Sequence, residues 1–358
     1  MMAALRPRTN TSTESVIYFP TGSAWELTTP QSAGWSETAL ARSLELAAEY
    51  HSSGVVFLHR GRIVAEQYWT LDEATVAAAG PLAPSLVYGQ TDEGYALEDV
   101  ASAQKSVVAV LCLIARDRGL IAFNQPVSDF LGSGWTKATR EQEKHIRLYH
   151  LLSMTTGLND RLEFEAVPGT RWHYNTPAYQ KLLPLLMGVS KLSANELTQT
   201  WLGEAIGWQH TYWVERPFKD VSGQPMRGIV TTARDLARFG LLILSKGLWD
   251  RTEVIAPTSV AEMLRPSQAL NPAYGLLWWL NDSDRYMVPA STESIPGRRL
   301  PDAPQDMATM AGLLNRYVFV IPSWEAVIVR MGVVKAGMVP GNGGFDRVWW
   351  KALRELRG

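Results

Sequence analysis

Apolar residues near both ends of the chain are arranged in short runs that predict paired strands. Residues 55–59 and 62–68 are rich in apolar and β-branched side chains and flank an Arg-Gly turn. Residues 317–321 and 326–331 repeat this arrangement around a Pro-Ser break. Short β-rich runs joined by such turns are typical of antiparallel hairpins. We therefore predict one hairpin near each end of the chain.

Helical spacing describes most of the other apolar positions. After a candidate N-cap at Ser36, leucine and alanine recur every three or four residues as far as His51, and a second helical stretch runs from about Phe345 to Leu356. Residues 102–265 are mostly helical in period, with glycines where helices would end. The pattern thus predicts helices at both ends of the fold and a helical region between the hairpins.

These elements together predict an α/β (α+β) fold. The hairpins would form an antiparallel sheet flanked by N- and C-terminal helices, and the middle of the chain would form an inserted all-helical domain beside a groove. We predict a discontinuous α/β domain over residues 25–100 and 284–358 and a helical domain over residues 101–283. Residues 1–24 are predicted to be a loosely ordered leader.

Composition excludes several classes of protein. The 358 residues are 46% hydrophobic and 19% charged, which suits a packed core rather than a disordered chain. The 34 Lys and Arg residues balance 35 Asp and Glu residues without long blocks of one charge. Nucleic acids and anionic membranes are therefore not expected partners. The sequence does not indicate an oligomeric state.

The start of the chain does not resemble an export signal. Arg6 and Arg8 are not followed by an apolar stretch, and no apolar run reaches the length of about 20 residues that crosses a bilayer. The single cysteine, Cys112, has apolar neighbours that predict a buried, inert side chain. We therefore expect a cytoplasmic protein.

One apolar segment contains two polar residues that point to chemistry. Residues 99–115 are predicted to form a buried helix whose polar positions near its start are Ser102 and Lys105. Residues three apart share a helix face, so the two side chains can touch. Apolar surroundings lower the pKa of a lysine, whose neutral amine can then accept the proton of a serine hydroxyl. This pair can make a nucleophile without histidine.

A purely structural role is the main alternative for this pair. The serine could cap the helix beside a surface lysine, but a surface lysine does not normally lie one turn into a helix that is apolar all round. The histidines lack zinc-ligand spacing, and there is no Gly-x-Ser-x-Gly elbow. Residues 341–344 lack the Lys-Ser/Thr of a phosphate loop and are predicted to form a turn. We expect no metal or cofactor.

Several segments in a fixed order resemble the serine β-lactamase and penicillin-binding-protein superfamily. The similarity is greatest to its class C-like branch, which includes esterases, D-amino-acid peptidases and 6-aminohexanoate-dimer hydrolases, and it runs from about Trp35 to the C-terminus. It implies a β-lactamase/transpeptidase-like fold and acyl transfer through Ser102 and Lys105. The resembling segments are Asp99–Ser106, Arg116–Gly119, Pro126–Leu131, His150–Leu158, Pro168–Tyr174, Thr231–Gly240 and Tyr274–Trp279.

The second motif of that superfamily, Tyr-x-Asn, falls on Tyr174, Asn175 and Thr176. The resemblance implies that Tyr174 works beside the serine and lysine. A phenol in that place can pass a proton toward the leaving group. Thr176 stands where asparagine is usual, and its hydroxyl cannot present an amide to a substrate carbonyl.

The third motif, Lys-Thr-Gly or His-x-Gly, falls on Met310, Ala311 and Gly312, where only the glycine is retained. The resemblance implies that Gly312 lets the substrate approach the backbone and that the N–H groups of Ser102 and Leu313 form the oxyanion hole. Met310 and Ala311 lack the polar groups that bind a substrate carboxylate. They indicate an uncharged substrate or one that is held differently.

A cation from elsewhere, such as Arg316 or Lys335, could replace the missing one. We therefore predict a metal-free serine hydrolase that cleaves a small ester or amide. Ser102 would be the nucleophile, Lys105 the base and Tyr174 the proton relay. Two alternatives remain: a β-lactamase or D-Ala-D-Ala peptidase, and a non-catalytic binding protein on the same scaffold.

Overall fold

The structure is a computed structural model that describes residues 17–221, 223–335, 338 and 344–358. The predicted turn at residues 341–344 lies outside this part of the chain except for its last residue, and so do residues 1–16 of the predicted leader. The described end of that leader is not loose. The backbone N–H of Tyr18 donates to the carbonyl of Arg60 at 3.0 Å, and Arg238 donates to the carbonyl of Pro20 at 3.1 Å.

The helices and strands are numbered in chain order. The strands are β1 Ser52–His59, β2 Arg62–Tyr68, β3 Val87–Gln90, β4 Ala96–Asp99, β5 Tyr212–Lys219, β6 Pro225–Thr231, β7 Leu248–Trp249, β8 Thr252–Glu253, β9 Trp279–Leu280, β10 Arg285–Tyr286, β11 Ile295–Pro296, β12 Ala308–Gly312, β13 Arg316–Ile321 and β14 Ala326–Gly332. The α-helices are α1 Glu37–Glu49, α2 Glu73–Ala78, α3 Gln104–Asp117, α4 Ser128–Leu131, α5 Arg140–Glu143, α6 Leu148–Leu152, α7 Thr176–Tyr179, α8 Leu182–Ser190, α9 Ala194–Thr198, α10 Glu204–Ile206, α11 Ala233–Leu244, α12 Pro257–Met263 and α13 Phe345–Leu353.

The two predicted hairpins are confirmed and lie side by side in one antiparallel sheet. Its strand order is β2-β1-β14-β13-β12-β9, so the first hairpin pairs with the last through β1 and β14. Val56 lies opposite Val329, and Phe57 lies opposite Ile328. The chain ends therefore build the sheet, and β12 carries the third motif close to its edge.

Helices cover both faces of this sheet. Successive residues of a strand point to opposite faces, and β1 is buried along its whole length. Val55 and Phe57 pack in a core with α1 and α13, whereas Val56 and Leu58 pack in the larger core that includes α11. The predicted N- and C-terminal helices are confirmed, and Ser36 caps α1 through the N–H of Ala39. The mixed helical and antiparallel class is therefore confirmed.

The sequence pattern predicts an all-helical middle of the chain, but this region also contains strands. Strands β5 and β6 pair with each other and join β3 and β4 in a second sheet of order β3-β4-β6-β5. Strand β9 pairs with β12, and α11 packs on the main sheet, so both lie with the sheet although they fall within the predicted helical region. The domain boundaries at residues 101 and 283 stay predictions.

Helix α3 occupies the centre of the fold. Every side chain from Gln104 to Ala115 is buried, including the predicted inert Cys112. Helix α3 packs against α8 and β12, and the turn of residues 101–103 before it also lies against β12. None of the helices in the described part of the chain is long and apolar enough to span a membrane.

Candidate active site

Ser102 lies in a strained turn directly before α3. It is the middle residue of a 3₁₀ turn formed by Ala101–Ala103. Ala101 has a φ of 49°, which is costly for a residue with a Cβ, and its N–H donates to the Asp99 carboxylate at 2.7 Å. Strained backbone of this kind persists where the surroundings fix it, often at functional sites. The turn holds the half-buried Ser102 hydroxyl near the positive end of the α3 dipole.

Lys105 contacts Ser102, as the three-residue spacing predicts. Its Nζ donates to Oγ of Ser102 at 3.1 Å, and the residue is only 2% exposed. The ammonium position also lies 4.8 Å from the ring centre of Tyr174 and 4.7 Å from that of Tyr179. Lys105 is therefore enclosed by aromatic rings with the serine hydroxyl as a polar neighbour.

This environment changes the protonation of the lysine. Burial lowers the pKa of Lys105 from 10.5 to about 7, and the positive charge of Arg216 contributes in the same direction. A large fraction of the side chain is then a neutral amine at neutral pH. Such an amine can accept the proton that Ser102 must lose to act as a nucleophile.

Tyr174 completes the predicted trio. It hydrogen-bonds to Ser102, and burial raises its pKa to about 12 despite that bond. Its ring stacks on Trp279 with the centroids 5.9 Å apart and meets Tyr274 edge-on. The phenol stays protonated at neutral pH, so it is a proton donor there, and Lys105 is the group suited to be the base.

A buried ion pair that no sequence motif predicts supports this arrangement. Arg216, on β5, donates to both carboxylate oxygens of Asp99 at 2.7 Å each and to Oε1 of Gln104 at 3.1 Å. The Asp99 carboxylate in turn accepts a hydrogen bond from the N–H of Ala101. The pair links the Ala101–Ala103 turn to β5 and places a positive charge near Lys105. Arg216 lies more than 100 residues away along the chain, so no local pattern could identify it.

The charge of Arg216 leads to a prediction about pH. Replacing Arg216 by glutamine should raise the pKa of Lys105, because one of the two causes that lower it is removed. The rise of the acylation rate with pH should then move to higher pH. Arg216→Lys keeps the positive charge and should keep the native dependence of the acylation rate on pH. Arg227→Gln is the matched control, because Arg227 lies on the neighbouring strand and pairs with the exposed Glu215.

Stopped-flow acylation with an activated ester across neutral pH measures this shift. Thermal unfolding of each variant shows whether the loss of the partner of Asp99 also disturbs the fold. If Arg216→Gln folds and its acylation rate depends on pH as in the native protein, then the charge of Arg216 does not lower the pKa of Lys105.

The end of β12 approaches the turn around Ser102 closely. A Cβ on Gly312 would lie 2.2 Å from the carbonyl oxygen of Val100 and 3.3 Å from the N atom of Ala103. Glycine is therefore required because the two backbones touch, rather than only to admit a substrate, and its φ of −122° is ordinary. The following residue, Leu313, is 38% exposed.

Besides Lys105, which lies behind Ser102, three predicted site residues do not line the cavity beside Ser102. Met310 is fully buried in the main core, because strand alternation turns it away from the side that carries Ala311. Asn175 caps α7 through the N–H of Ala178 and donates to the carbonyl of Leu158. Thr176 is the first residue of α7. Met310 therefore contributes no side chain to the cavity.

The two suggested replacement cations are also placed elsewhere. Arg316 is buried and pairs with Glu98 at 2.9 Å, and Lys335 pairs with Glu49 at 2.8 Å on the surface. Neither lines the cavity.

Ser102 and Tyr174 open into a cavity of about 310 Å³. Ser102, Tyr174, Ala311, Gly312 and Leu313 line it as predicted. Sequence reasoning missed five further residues, four of which come from a two-residue strand or irregular segments, whereas Tyr317 lies on strand β13. These are Trp279, Val288, Pro289, Arg299 and Tyr317.

No cluster of three or more His, Cys, Asp or Glu side chains among residues 17–221, 223–335, 338 and 344–358 could hold a metal ion. What the site assembles is a serine hydroxyl, a buried amine and a phenol beside a largely apolar cavity. These groups suit nucleophilic attack and proton transfer.

Comparison with known proteins places this chain in a family. The sequence is 23% identical over 310 residues to an uncharacterized protein of Alkalihalophilus pseudofirmus, covering 78% of this chain and 82% of the relative. A penicillin-binding-protein homologue from Caulobacter crescentus superposes with a TM-score of 0.62 at 14% identity, covering 88% of this chain and 97% of its own. A D-stereospecific amidohydrolase from Streptomyces superposes with a TM-score of 0.56 at 14% identity, covering 84% and 96%. These likenesses show the fold.

The sequence model of the beta-lactamase family matches residues 42–334, which include strands β1 to β14, the Ser102 turn and α3. This span confirms the resemblance noted from the short motifs. The chain therefore belongs to the beta-lactamase family of hydrolases.

Proposed function

We propose that this protein is a serine hydrolase that cleaves a small ester or amide through an acyl-enzyme on Ser102. The observation that carries the proposal is the 3.1 Å contact between Nζ of Lys105 and Oγ of Ser102, made by a lysine that is almost completely buried. A buried amine with a pKa of about 7 is costly to keep and suits the removal of a hydroxyl proton at neutral pH.

Acylation would begin when Lys105 accepts the Oγ proton as Ser102 attacks the substrate carbonyl. The negative charge that forms on the carbonyl oxygen would be stabilised by the backbone N–H groups of Ser102 and Leu313. Gly312 supports this role, because its contact with residues 100–103 brings the two backbones together. Breaking the bond to the leaving group then gives the acyl-enzyme.

The leaving group needs a proton, and Tyr174 is placed to donate it. The phenol is protonated at neutral pH and hydrogen-bonds to Ser102, so it lies next to the reacting atoms. The Lys105 ammonium would return a proton to Tyr174. A water molecule would then attack the acyl-enzyme, with Lys105 again as base, and Ser102 would leave with its proton restored.

Active-site labelling tests the proposal. A fluorophosphonate probe should phosphonylate Ser102, and mass spectrometry of the digested protein locates the adduct. Ser102→Ala should abolish both the label and the hydrolysis of p-nitrophenyl butyrate, whereas Ser106→Ala, four residues along the chain in α3, should remove neither. Label on another residue, or unchanged hydrolysis by Ser102→Ala, would overturn the proposal.

Loss of the Tyr174 hydroxyl should affect amides more than activated esters. A p-nitrophenolate departs without a proton, but an amine must be protonated to leave. We therefore expect Tyr174→Phe to lower kcat/KM for a p-nitrophenyl ester by less than about tenfold and that for the anilide of the same acid by about 10²-fold or more. Equal losses on the two substrates would show that Tyr174 only positions Lys105.

A further inference from the structure

A second cavity, of about 400 Å³, lies between the helical layer and the β5–β6 hairpin. Its wall includes Trp135 from the segment after α4, Tyr179 at the end of α7, Leu183 on α8, and Trp213 and Met226 on the two strands of the hairpin. Within the described chain, it shares no lining residue with the cavity beside Ser102. The two cavities are therefore separate, and a molecule in the second one would leave Ser102 accessible.

One wall of the second cavity lies close to Lys105. The ring centre of Tyr179 is 4.7 Å from Nζ of Lys105, and that of Tyr174, which lines the other cavity, is 4.8 Å from it. Gln104 also lines the second cavity, and its Oε1 accepts a hydrogen bond from Arg216. A molecule in the second cavity would thus touch residues that contact Lys105 and its positively charged neighbour.

The charged side chains of the second cavity are already paired. The charged residues in the described lining are Lys181, Asp220 and Arg227. Lys181 lies 3.1 Å from Asp220, and Arg227 lies 3.3 Å from Glu215. An ionic ligand would lose hydration here without gaining an unpaired counterion. The lining therefore favours an uncharged ligand.

The other side chains of the lining indicate which groups such a ligand carries. Trp135, Tyr179 and Trp213 contribute aromatic rings, which pack favourably with another aromatic ring. Nε2 of Gln180 and Nε1 of Trp135 are buried and have no hydrogen-bond partner in the described part of the chain. Both are donors, so the group that they lack is an acceptor, such as a carbonyl oxygen. A change of side-chain rotamer on binding would let either group donate to the ligand.

We propose that the second cavity binds a small uncharged molecule that combines an aromatic ring with a carbonyl group. The ring would pack against Trp135, Tyr179 and Trp213, and the carbonyl oxygen would accept a hydrogen bond from Gln180. This site goes beyond the proposed function, because binding there requires neither Ser102 nor hydrolysis.

Three naphthalene derivatives test the class of ligand. At neutral pH 1-naphthamide is uncharged, 1-naphthoate is an anion and 1-naphthylmethylamine is a cation. Titrations followed by NMR use the full chain with Ser102→Ala, so that no probe is cleaved through Ser102. We expect 1-naphthamide to bind with a Kd of about 1 mM or tighter, and the two charged probes to bind at least about tenfold more weakly. Equal or tighter binding of a charged probe would overturn the proposed class of ligand.

Variants that narrow one cavity at a time locate the bound probe. Met226→Trp fills part of the second cavity and should weaken the binding of 1-naphthamide at least about tenfold. Leu313→Trp narrows the cavity beside Ser102 and should leave the Kd within about threefold. Tyr212→Trp is the matched control, because Tyr212 is 38% exposed on β5 and does not line the second cavity. The reverse pattern would place the probe beside Ser102 and overturn the site.

Gln180→Leu tests the hydrogen bond to the carbonyl group. It should weaken the binding of 1-naphthamide by about three- to tenfold and leave that of naphthalene, which has no carbonyl group, within about twofold. Gln209→Leu, at an exposed position outside the lining, should change neither. Native binding of 1-naphthamide to Gln180→Leu would overturn the role of Gln180.

Thermal unfolding shows whether each variant folds. If Met226→Trp does not fold, a crystal soaked with 1-naphthamide decides the place of binding, since density for the probe beside Ser102 alone would overturn the site. None of these measurements needs hydrolysis. A protein that binds 1-naphthamide in the second cavity but is not labelled at Ser102 would therefore contradict only the proposed function.

Discussion

Replacing Lys105 by alanine is expected to slow acylation of Ser102 by roughly 10²–10⁴-fold, the range by which a positioned general base accelerates proton transfer. In the native protein Nζ lies 3.1 Å from Oγ of Ser102, and burial keeps the pKa of the amine at about 7. The native rate should therefore rise with pH through neutrality as the amine loses its proton. The residual rate of Lys105→Ala should lack that rise.

Replacing Lys105 by arginine tests whether this residue acts as a base or only as a positive charge. A guanidinium stays protonated at any working pH, so Lys105→Arg should acylate no faster than Lys105→Ala. The rate of fluorophosphonate labelling of each variant, followed across neutral pH, measures both effects. Lys144→Ala removes an exposed lysine that pairs with Glu141, and it should label at the native rate. Native labelling by Lys105→Arg would show that the proton goes to another group.

The part of the site that could be predicted from the sequence is the part that depends on short-range geometry. Ser102 and Lys105 are three residues apart, and this spacing alone brings their side chains together. Their apolar neighbours along the chain also indicate burial, which lowers the pKa of the lysine. Tyr174 was identified by resemblance, since 69 residues separate it from Lys105. The contact of its ring with Lys105 depends on how α7 packs against α3.

The remainder of the site depends on contacts that no local pattern encodes. The register assigned to the third motif from the sequence predicted that Gly312 and Leu313 lie beside Ser102. The face of the sheet to which Met310 points depends instead on how β12 pairs with β13 and β9. Trp279 and Arg299 come from short or irregular segments. Their side chains meet only because those segments cross the end of the sheet.

The fold also contains elements that a local pattern predicts and elements that it does not. The hairpins were predictable because each carries a run of β-rich residues around a turn, and α1 because Ser36 caps an apolar period. Strand β5 was missed, although its exposed and buried positions alternate, because the surrounding helical period was extended across it. Its arginine, Arg216, was missed with it.

Replacing Gly312 by alanine is expected to lower kcat for ester hydrolysis by roughly 10²–10³-fold, the loss that follows removal of one oxyanion donor. The added Cβ would lie 2.2 Å from the carbonyl oxygen of Val100, far closer than the 3.4 Å at which ordinary van der Waals contact begins. A Cβ is fixed to its backbone and the oxygen is itself a backbone atom, so the end of β12 must move away from the turn around Ser102. The N–H of Leu313 moves with it and no longer faces the oxygen of a substrate attacked by Ser102.

Gly188→Ala is the matched control for this substitution. Gly188 lies in α8, and a Cβ there would have no atom within 4 Å, so alanine should leave activity unchanged and raise stability by about 0.5–1 kcal/mol. Gly312→Ala should instead lose stability by about 1–3 kcal/mol, as overpacked sites do. Steady-state kinetics with p-nitrophenyl butyrate and thermal unfolding measure both quantities. A Gly312→Ala protein with native kcat and native stability would show that the two backbones are not in contact, and the proposed oxyanion site would then lose its structural support.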